Sequence, residues 1–224
     1  MALPTIGIRM VIHEQHRVSS VEARSRVAVF IDRDGVINEN RADHVKSWAE
    51  FRFIAGALEA LARLSRAGVR VFVVSNQAIV GRGIVPAETV DAIHQAMISE
   101  IEQAGGHIEA VAYCPHQTDD ACGCRKPHPG LLLGLARAHG IDLRHALMIG
   151  DALTDMQAAE AAGCAGVLVL TGRGSEQLAR APFGLAAAVA VVADLGSAAD
   201  LLLNERERVF QARRAPLNHF SISR

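Results

Sequence analysis

Short apolar runs rich in β-branched side chains alternate along the chain with longer segments rich in alanine and leucine. Runs of this kind, bounded by polar residues, are typical of buried strands. Five of them predict strands, at residues 27–31, 69–74, 108–113, 146–149 and 166–170. The segments between the runs are long enough to hold helices that cross from one strand to the next.

Apolar residues recur at helical spacing in three of the other segments, residues 57–66, 86–103 and 195–203. Pro86 stands where a first helical turn tolerates proline, and Gly68 and Gly105 stand where helices commonly end. Strands and helices in alternation predict right-handed crossovers and a doubly wound, mostly parallel α/β sheet of the Rossmann-like type. In such a sheet we expect the active site beyond the carboxyl ends of the strands.

The length of 224 residues fits one main domain, which we expect at residues 26–203. Residues 1–25 show no clear apolar period, so they are interpreted as a loosely attached N-terminal extension. Residues 204–224 become charged and then irregular, and we expect them to form a C-terminal tail without a catalytic role.

Composition and charge exclude several classes of function. Basic and acidic residues nearly balance, leaving a formal charge of −1, and aromatic residues make up only 4% of the chain. Such a composition is poor material for a nucleic-acid groove. No apolar run approaches the ~20 residues that span a bilayer, and charged residues interrupt the first stretch before it resembles a signal peptide. We expect a cytoplasmic monomer that acts on a small molecule.

Two aspartates directly follow the first predicted strand. Asp32 and Asp34 are two residues apart, so the period of an extended chain directs both side chains to one side. A carboxylate with an ordinary pKa is ionised at neutral pH, so Asp32 needs no base before it attacks phosphorus. Asp34 is then the candidate acid and base. The alternative is that the pair only caps a turn.

Polar residues also end two other predicted strands. Ser75, Asn76 and Gln77 follow residues 69–74, and a hydroxyl beside backbone N–H groups suits the oxygens of a phosphoryl group. Asp151 follows residues 146–149 and would complete an oxygen-only Mg²⁺ site with Asp32 and Asp34. Asp155, one helical turn later, is expected to orient Asp151 or to cap a helix.

The pattern of Asp32-x-Asp34, Ser75, Lys126 and Asp151 with Asp155 resembles the four motifs of the haloacid dehalogenase superfamily of phosphatases, over roughly residues 27–172. The resemblance implies a Mg²⁺-dependent phosphatase that forms an aspartyl-phosphate on Asp32. Lys126 would bridge the nucleophile and the phosphate, and Arg125 would offer a second anionic group a planar fork of donors. Solvated surface charge is the alternative for both.

Three cysteines and a histidine lie within eleven residues, at Cys114, His116, Cys122 and Cys124. Three thiolates and an imidazole fill a tetrahedral Zn²⁺ shell, and a closed shell indicates a structural role. The alternative is a set of inert reduced cysteines, although cysteines rarely cluster in so polar a loop. A zinc loop that ends at Cys124 would hold the backbone of the next two residues, the candidate anion-binding Arg125 and Lys126.

The zinc loop followed by Arg-Lys-Pro resembles the branch of that superfamily that contains heptose bisphosphate 7-phosphatases and histidinol-phosphatase domains. The Gly-Arg-Gly motif around Arg82 and residues 43–53 favour a heptose bisphosphate, whereas the five-residue spacer between His116 and Cys122 is similar to histidinol-phosphatases. Only a short segment separates Asn38 from residue 57, so we expect a minimal cap. Asn76, Gln77, Arg82 and Arg125 are then the candidate substrate-binding residues. A zinc-dependent module that binds phosphate without hydrolysis remains an alternative.

Overall fold

The computed structural model describes residues 8–12, 27–181 and 188–212. Seven strands among these residues form one sheet. In chain order they are β1 Arg9–Ile12, β2 Ala28–Ile31, β3 Arg70–Asn76, β4 Ala110–Cys114, β5 Ala146–Gly150, β6 Ala165–Val169 and β7 Ala188–Val192. The spatial order is β1-β4-β3-β2-β5-β6-β7. The six neighbouring strands from β4 to β7 in this spatial order are all parallel. The edge strand β1 pairs antiparallel with β4.

Helices connect the parallel strands. In chain order they are α1 Ala57–Arg66, α2 Ala78–Gly81, α3 Ala87–Gln103, α4 Gly130–His139, α5 Leu153–Ala162, α6 Gly174–Arg180, α7 Leu195–Asn204 and α8 Arg206–Ala212. The predicted doubly wound α/β sheet is confirmed, and predicted strand and helix bounds agree with the observed ones to within two residues. No helix in the described part of the chain is long and apolar enough to cross a membrane.

Two apolar cores lie on opposite faces of the sheet, because successive strand side chains point to opposite sides. Val29 and Ile31 of β2 pack in the core that includes α1, α3 and α7. Ala28 and Phe30 of the same strand pack in the core that includes α4 and α5. The near-continuous apolar runs of the sequence therefore reflect strands that are buried on both faces.

The structure differs from the sequence-based expectation at both ends of the chain. Arg9–Ile12 lies in the expected loose extension, yet it forms a strand whose residues pair with β4, for example Arg9 with Tyr113. Arg206–Ala212 lies in the expected tail, yet it is helical and buries Val209 in the core. The rest of both segments lies outside the described residues. Neither short element was predicted, because the strand depends on pairing with β4 and the helix on packing beside α7, and a local sequence pattern shows neither contact.

The sheet brings three strand ends to one edge. In β2, Ile31 is level with Val73 of β3 and with Ile149 of β5, so the polar residues that follow these strands meet beyond a single edge. The segment between β2 and α1 holds a 3-10 turn at Trp48–Glu50 and an isolated antiparallel bridge between Asn38 and Phe53. This segment is compact, as the expected minimal cap requires.

Candidate active site

Three aspartates form a cluster beyond the carboxyl ends of β2 and β5, which we call the carboxylate centre: Asp32, Asp151 and Asp155. One oxygen of each lies within 4.8 Å of the others, and all three residues are buried. Lys126 reaches into this centre, with its Nζ 2.9 Å from Asp32 Oδ1 and 2.7 Å from Asp155 Oδ1. The ends of β2 and β5 thus contribute Asp32 and Asp151. The first turn of α5 contributes Asp155, and the loop before α4 contributes Lys126.

The carboxylate centre holds more negative charge than Lys126 can balance. Burial raises the pKa of Asp32 to about 6, although the charge of Lys126 lowers it. Burial and the neighbouring charge of Asp32 raise the pKa of Asp151 to about 6 as well. Burial alone would lower the pKa of Lys126, but Asp155 and Asp32 raise it above its ordinary value. Burial at the sheet edge thus raises the pKa of Asp32 above the ordinary value, and the carboxylate is still ionised at neutral pH.

Asp151 has one oxygen held by the protein and one that is not. Its Oδ2 accepts hydrogen bonds from Asn40 Nδ2 at 2.7 Å and from the backbone N–H of Arg173 at 2.8 Å. Its Oδ1 is buried and has no hydrogen-bond partner among the described residues. A buried unpaired carboxylate oxygen is costly unless a cation or another donor meets it. The donor set of the carboxylate centre therefore fits Mg²⁺, which prefers carboxylate oxygens.

Two glycines make room for this aspartate. Gly35 and Gly172 both have positive φ, 89° and 56°. A Cβ atom on Gly35 would lie 2.1 Å from Asp151 Oδ2, and one on Gly172 would lie 2.3 Å from the same oxygen. Any side chain at these two positions would displace the Asp151 carboxylate. The backbone can therefore come this close to Asp151 only where the residue is glycine.

The Asp34 carboxylate does not belong to the carboxylate centre. Arg33 Nη2 donates to both of its oxygens at 2.9 Å, and Asn38 and Gln77 each donate to one of them at 2.9 and 2.8 Å. Burial would raise the pKa of Asp34, but the charge and hydrogen bonds of Arg33 lower it below its ordinary value. The expectation that this carboxylate ligates Mg²⁺ is not supported, because its oxygens are directed towards these donors. Its role as acid and base stays a prediction.

The polar residues after β3 support other site residues. Gln77 Nε2 donates to Ser75 Oγ at 2.8 Å as well as to Asp34. Asn76 exchanges two hydrogen bonds of 3.0 Å with the backbone of Lys126, and Lys126 Nζ also donates to the Val74 carbonyl at 2.9 Å. Asn76 and Gln77 were expected to bind substrate. Both side chains are instead engaged in holding other site residues, since both ends of the Asn76 amide are occupied.

The three cysteines and the histidine converge on one point, as predicted. Cys124 Sγ lies 3.3 Å from Cys114 Sγ, 3.6 Å from Cys122 Sγ and 3.4 Å from His116 Nδ1. A tetrahedral Zn²⁺ with bonds of about 2.3 Å to sulfur needs sulfurs about 3.8 Å apart. The observed sulfur spacings of 3.3 and 3.6 Å are somewhat shorter than this, so the sulfurs would move slightly apart around an ion. Burial would raise the pKa of Cys122, but backbone N–H groups of Arg125 and Cys124 lower it.

The two candidate arginines lie near this cysteine cluster. Arg82 Nη1 is 3.2 Å from His44 Nε2, and Arg125 Nη1 donates to the His116 carbonyl at 3.3 Å. Within the described residues neither forms an ion pair with an acidic side chain. The loop also reaches the turn before Arg82, because Gln117 Nε2 donates to the Gly81 carbonyl at 2.9 Å. Both cations thus remain available to an anion.

Several residues that build the site were not identified from the sequence. They support the aspartates from other segments: Arg33, Asn38, Asn40, His94 and the backbone of Arg173. Arg33 lies inside the Asp-x-Asp motif and was the only one with a local signal. The others are single polar residues without a pattern, and a backbone N–H carries no sequence signal at all.

Comparisons with known proteins agree with this geometry. A family model described as HAD-hydrolase-like matches residues 123–198. The D-glycero-β-D-manno-heptose-1,7-bisphosphate 7-phosphatase of Bordetella bronchiseptica is 42% identical over 177 residues, which cover 79% of this chain and 98% of that protein. The enzyme of the same name from Pseudomonas aeruginosa is 40% identical over 70% of this chain and 88% of its own length.

A solved structure extends the likeness to the fold. The crystal structure of D,D-heptose 1,7-bisphosphate phosphatase from B. bronchiseptica, complexed with magnesium and phosphate, superposes with a TM-score of 0.74 at 41% identity. The match covers 80% of this chain and 99% of that one. These relatives are named as phosphatases, and the matches to the B. bronchiseptica protein and its structure cover 79% and 80% of this chain.

Proposed function

The chain belongs to the HAD-hydrolase-like family, and on that basis we propose that it removes the 7-phosphate of D-glycero-β-D-manno-heptose 1,7-bisphosphate. The observation that carries the proposal is the buried Asp32 carboxylate held by Lys126 at 2.9 Å beside the unpaired oxygen of Asp151. The named relatives support this substrate and its β anomer. A module that only binds phosphate has no need of such a carboxylate.

The reaction follows from the positions of the aspartates. An oxygen of Asp32 attacks phosphorus, and the bond between phosphorus and the C7 oxygen breaks as the protonated form of Asp34, which Arg33 disfavours in this structure, donates its proton to that oxygen. Water then attacks the aspartyl-phosphate, Asp34 takes its proton, and inorganic phosphate leaves with Asp32 restored. The Asp34 side chain keeps 24% of its surface exposed, so it is reachable by a leaving group. Lys126 and Ser75 stabilise the phosphoryl oxygens in this scheme.

Asp32 and Asp151 are the side chains proposed to hold Mg²⁺. The bound ion would supply the positive charge that offsets repulsion between the carboxylates and an anionic substrate. Asn40 and the backbone of Arg173 orient Asp151 so that its free oxygen faces the centre. The neighbouring Asp155 is occupied by Lys126 Nζ and by the backbone N–H of Ala152 at 3.1 Å, which leaves it a supporting role.

We propose that Zn²⁺ is bound by Cys114, His116, Cys122 and Cys124 in a structural role. The distances between these donors support a closed tetrahedral shell without a free position for substrate. The metal would hold the loop that continues directly into Arg125 and Lys126. Zinc is therefore proposed to act on catalysis through the position of these residues.

The phosphate that is not cleaved is proposed to contact Arg82 and Arg125. Both guanidinium groups lack an acidic partner in the described part of the chain, and their planar forks suit a phosphate. Asn76 and Gln77 act through Lys126 and Asp34 in this proposal. A cytoplasmic monomer with its phosphatase domain at residues 26–203 also remains our proposal, which gel filtration at working concentration would test for the oligomeric state.

A turnover comparison tests the function. The full chain, loaded with Mg²⁺ and Zn²⁺, is assayed for phosphate release from the β-heptose 1,7-bisphosphate, its α anomer and histidinol phosphate, with and without a chelator. We expect the β-bisphosphate to have a kcat/KM at least ~10-fold above the other substrates and to lose turnover with the chelator. Dominant histidinol release would assign the alternative substrate. Binding of the bisphosphate without any phosphate release would indicate a binding module.

A further inference from the structure

A buried chain of side chains links α3 to the candidate acid and base. Arg33 is 1% exposed and His94 is fully buried. Arg33 Nη1 lies 3.1 Å from His94 Nε2, and Arg33 Nη2 donates to both oxygens of Asp34. We propose that His94 is a positioning residue, which holds the Arg33 guanidinium in the orientation that orders the Asp34 carboxylate for proton transfer. The inference rests on the proposed function, because it deepens the role of Asp34.

The chemistry of the contact defines the state of the imidazole. A guanidinium has donors and no acceptor, so His94 Nε2 must be the unprotonated nitrogen and the ring proton must be on Nδ1. A protonated ring would bring two cations to 3.1 Å in a buried site. Burial and the charge of Arg33 accordingly lower the pKa of His94 well below its ordinary value. The contact with Arg33 thus requires a neutral imidazole that accepts through Nε2.

In the part of the chain that the structure describes, the contact between His94 and Arg33 leaves buried polar atoms unpaired, which lowers the stability of the fold. A purely apolar packing contact at this position would not have that cost. His94 Nδ1 and Arg33 Nε are buried without a hydrogen-bond partner among the described residues, and unpaired buried polar atoms are destabilising. An apolar residue on this face of α3 would avoid that cost. The His94 ring is also held from the side by Tyr113, with ring centroids 5.2 Å apart. A packed ring whose hydrogen-bond partner among the described residues is Arg33 is suited to orienting that guanidinium.

Asn38 and Gln77 supply the remaining contacts to Asp34, one to each oxygen. Each of these amides donates one hydrogen bond to a single oxygen of the carboxylate. Arg33 contacts both oxygens at once, so its orientation defines the plane of the carboxylate. A loss of the His94 contact should therefore reduce the rate of proton transfer while leaving the groups proposed to bind the substrate phosphates in place.

The test uses variants of the Mg²⁺- and Zn²⁺-loaded full chain. His94→Phe keeps a ring without an acceptor, His94→Asn keeps an amide that is too short to reach Arg33, and His94→Gln restores an acceptor at longer reach. Ile101→Ala, two turns further along α3 and also buried, is the matched control for lost stability. Arg33→Lys, alone and combined with His94→Phe, completes a double-mutant cycle.

We expect His94→Phe and His94→Asn to lower kcat for the bisphosphate about 10–100-fold, as a part of the ~10²–10⁴ that general acid catalysis contributes, with KM changed less than about twofold. His94→Gln should retain kcat within about threefold, and Ile101→Ala should lose thermal stability but not kcat. The double variant should be no slower than Arg33→Lys alone within about twofold, because His94 acts through Arg33.

Each contrary result overturns the inference. Additive losses in the cycle, an unchanged kcat in the His94 variants, or a fall in kcat of Ile101→Ala that equals theirs would show that His94 only packs. If His94→Phe does not fold, the contrast of Asn with Gln decides the matter by itself. If the wild type shows no turnover, the proposed function is overturned and this inference with it. If the wild type turns over and the variants give one of the contrary results above, only the inference is overturned.

Discussion

The carboxylate centre and the cysteine cluster are two groups of candidate metal ligands built in opposite ways. The cysteine cluster comes from the last residue of β4 and the loop that follows it, and its thiol and imidazole groups lie within 3.3–3.6 Å of Cys124 Sγ. The carboxylate centre comes from the ends of two strands and the start of a helix, and it contains hard oxygens whose pKa values are raised by burial. A closed shell holds a backbone in place, whereas an open set of carboxylates leaves positions for a substrate.

The two regions meet at Lys126. Its backbone follows the last cysteine of the loop and is held by Asn76, while its ammonium group lies in the carboxylate centre. The loop therefore influences the chemistry through the position of one cation. The difference in donor chemistry also predicts that the two regions respond differently to substitution, and the following experiments test that difference from the largest effect to the smallest.

Replacement of the nucleophile should have the largest effect. Asp32→Asn removes the attacking oxygen charge, and we expect kcat to fall by at least ~10⁴-fold. Thermal stability should not fall in the absence of Mg²⁺, because the change also removes a buried charge. Phosphate release and a thermal melt measure the two effects. Asp142→Asn, the same change at a 3-10 helix cap away from the centre, is the control. Full phosphate release by Asp32→Asn would disprove the assignment.

Loss of one cysteine ligand should have an intermediate effect. Cys124→Ala opens the zinc shell, and the position of Lys126 should become less well defined. We expect zinc content to fall, the melting temperature to decrease and kcat/KM to drop about 10–100-fold. The control is Cys164→Ala, the same change at a buried cysteine outside the cluster, with zinc and kcat/KM retained. Normal kcat/KM in a zinc-free Cys124→Ala protein would separate the loop from catalysis.

Removal of the partly buried Arg125, which directly follows the cysteine cluster, should affect one class of substrate. Arg125→Ala is expected to raise KM about tenfold for a bisphosphate, because one guanidinium–phosphate contact is lost. For a monophosphate KM should change much less. Steady-state kinetics on both substrates measure the ratio, with Arg137→Ala, an exposed arginine on α4, as the control. Equal effects on the two substrates would contradict a second phosphate site at Arg125.

Stabilisation by Mg²⁺ should depend on pH and be the smallest effect. Asp32 and Asp151 have folded pKa values of about 6 without a cation, so the folded state binds more protons than the unfolded state between about pH 4 and 6. The cation-free protein consequently loses stability from these groups as pH rises through that window. Mg²⁺ needs the ionised carboxylates, so its stabilising effect should be greater at pH 7 than at pH 5.

At about tenfold over Kd we expect a shift in melting temperature of about 3–6 °C at pH 7 and less at pH 5. Asp151→Asn should lose most of the shift. The cysteine cluster serves as an internal reference. If the Mg²⁺-induced shift in melting temperature persists in Asp151→Asn but disappears after zinc removal, the stabilisation comes from the cysteine cluster and not from the carboxylate centre.

The sequence by itself determined the alternation of strands and helices, the residues that end the strands and the set of cysteine and histidine candidates for metal binding. These are local properties, since periodicity, strand ends and an eleven-residue ligand pattern depend only on neighbours along the chain. The order of the strands then follows a small set of topological rules, so Asp32 and Asp151 were expected at one edge.

Only the tertiary structure decided what each side chain does there. Asp34 turns to Arg33 rather than to the carboxylate centre, and Asn76 holds a backbone fifty residues away. The pKa of Asp32 and the support from His94 likewise depend on burial and on contacts between distant segments. Such effects are set by distances through space, and a one-dimensional pattern carries no information about them.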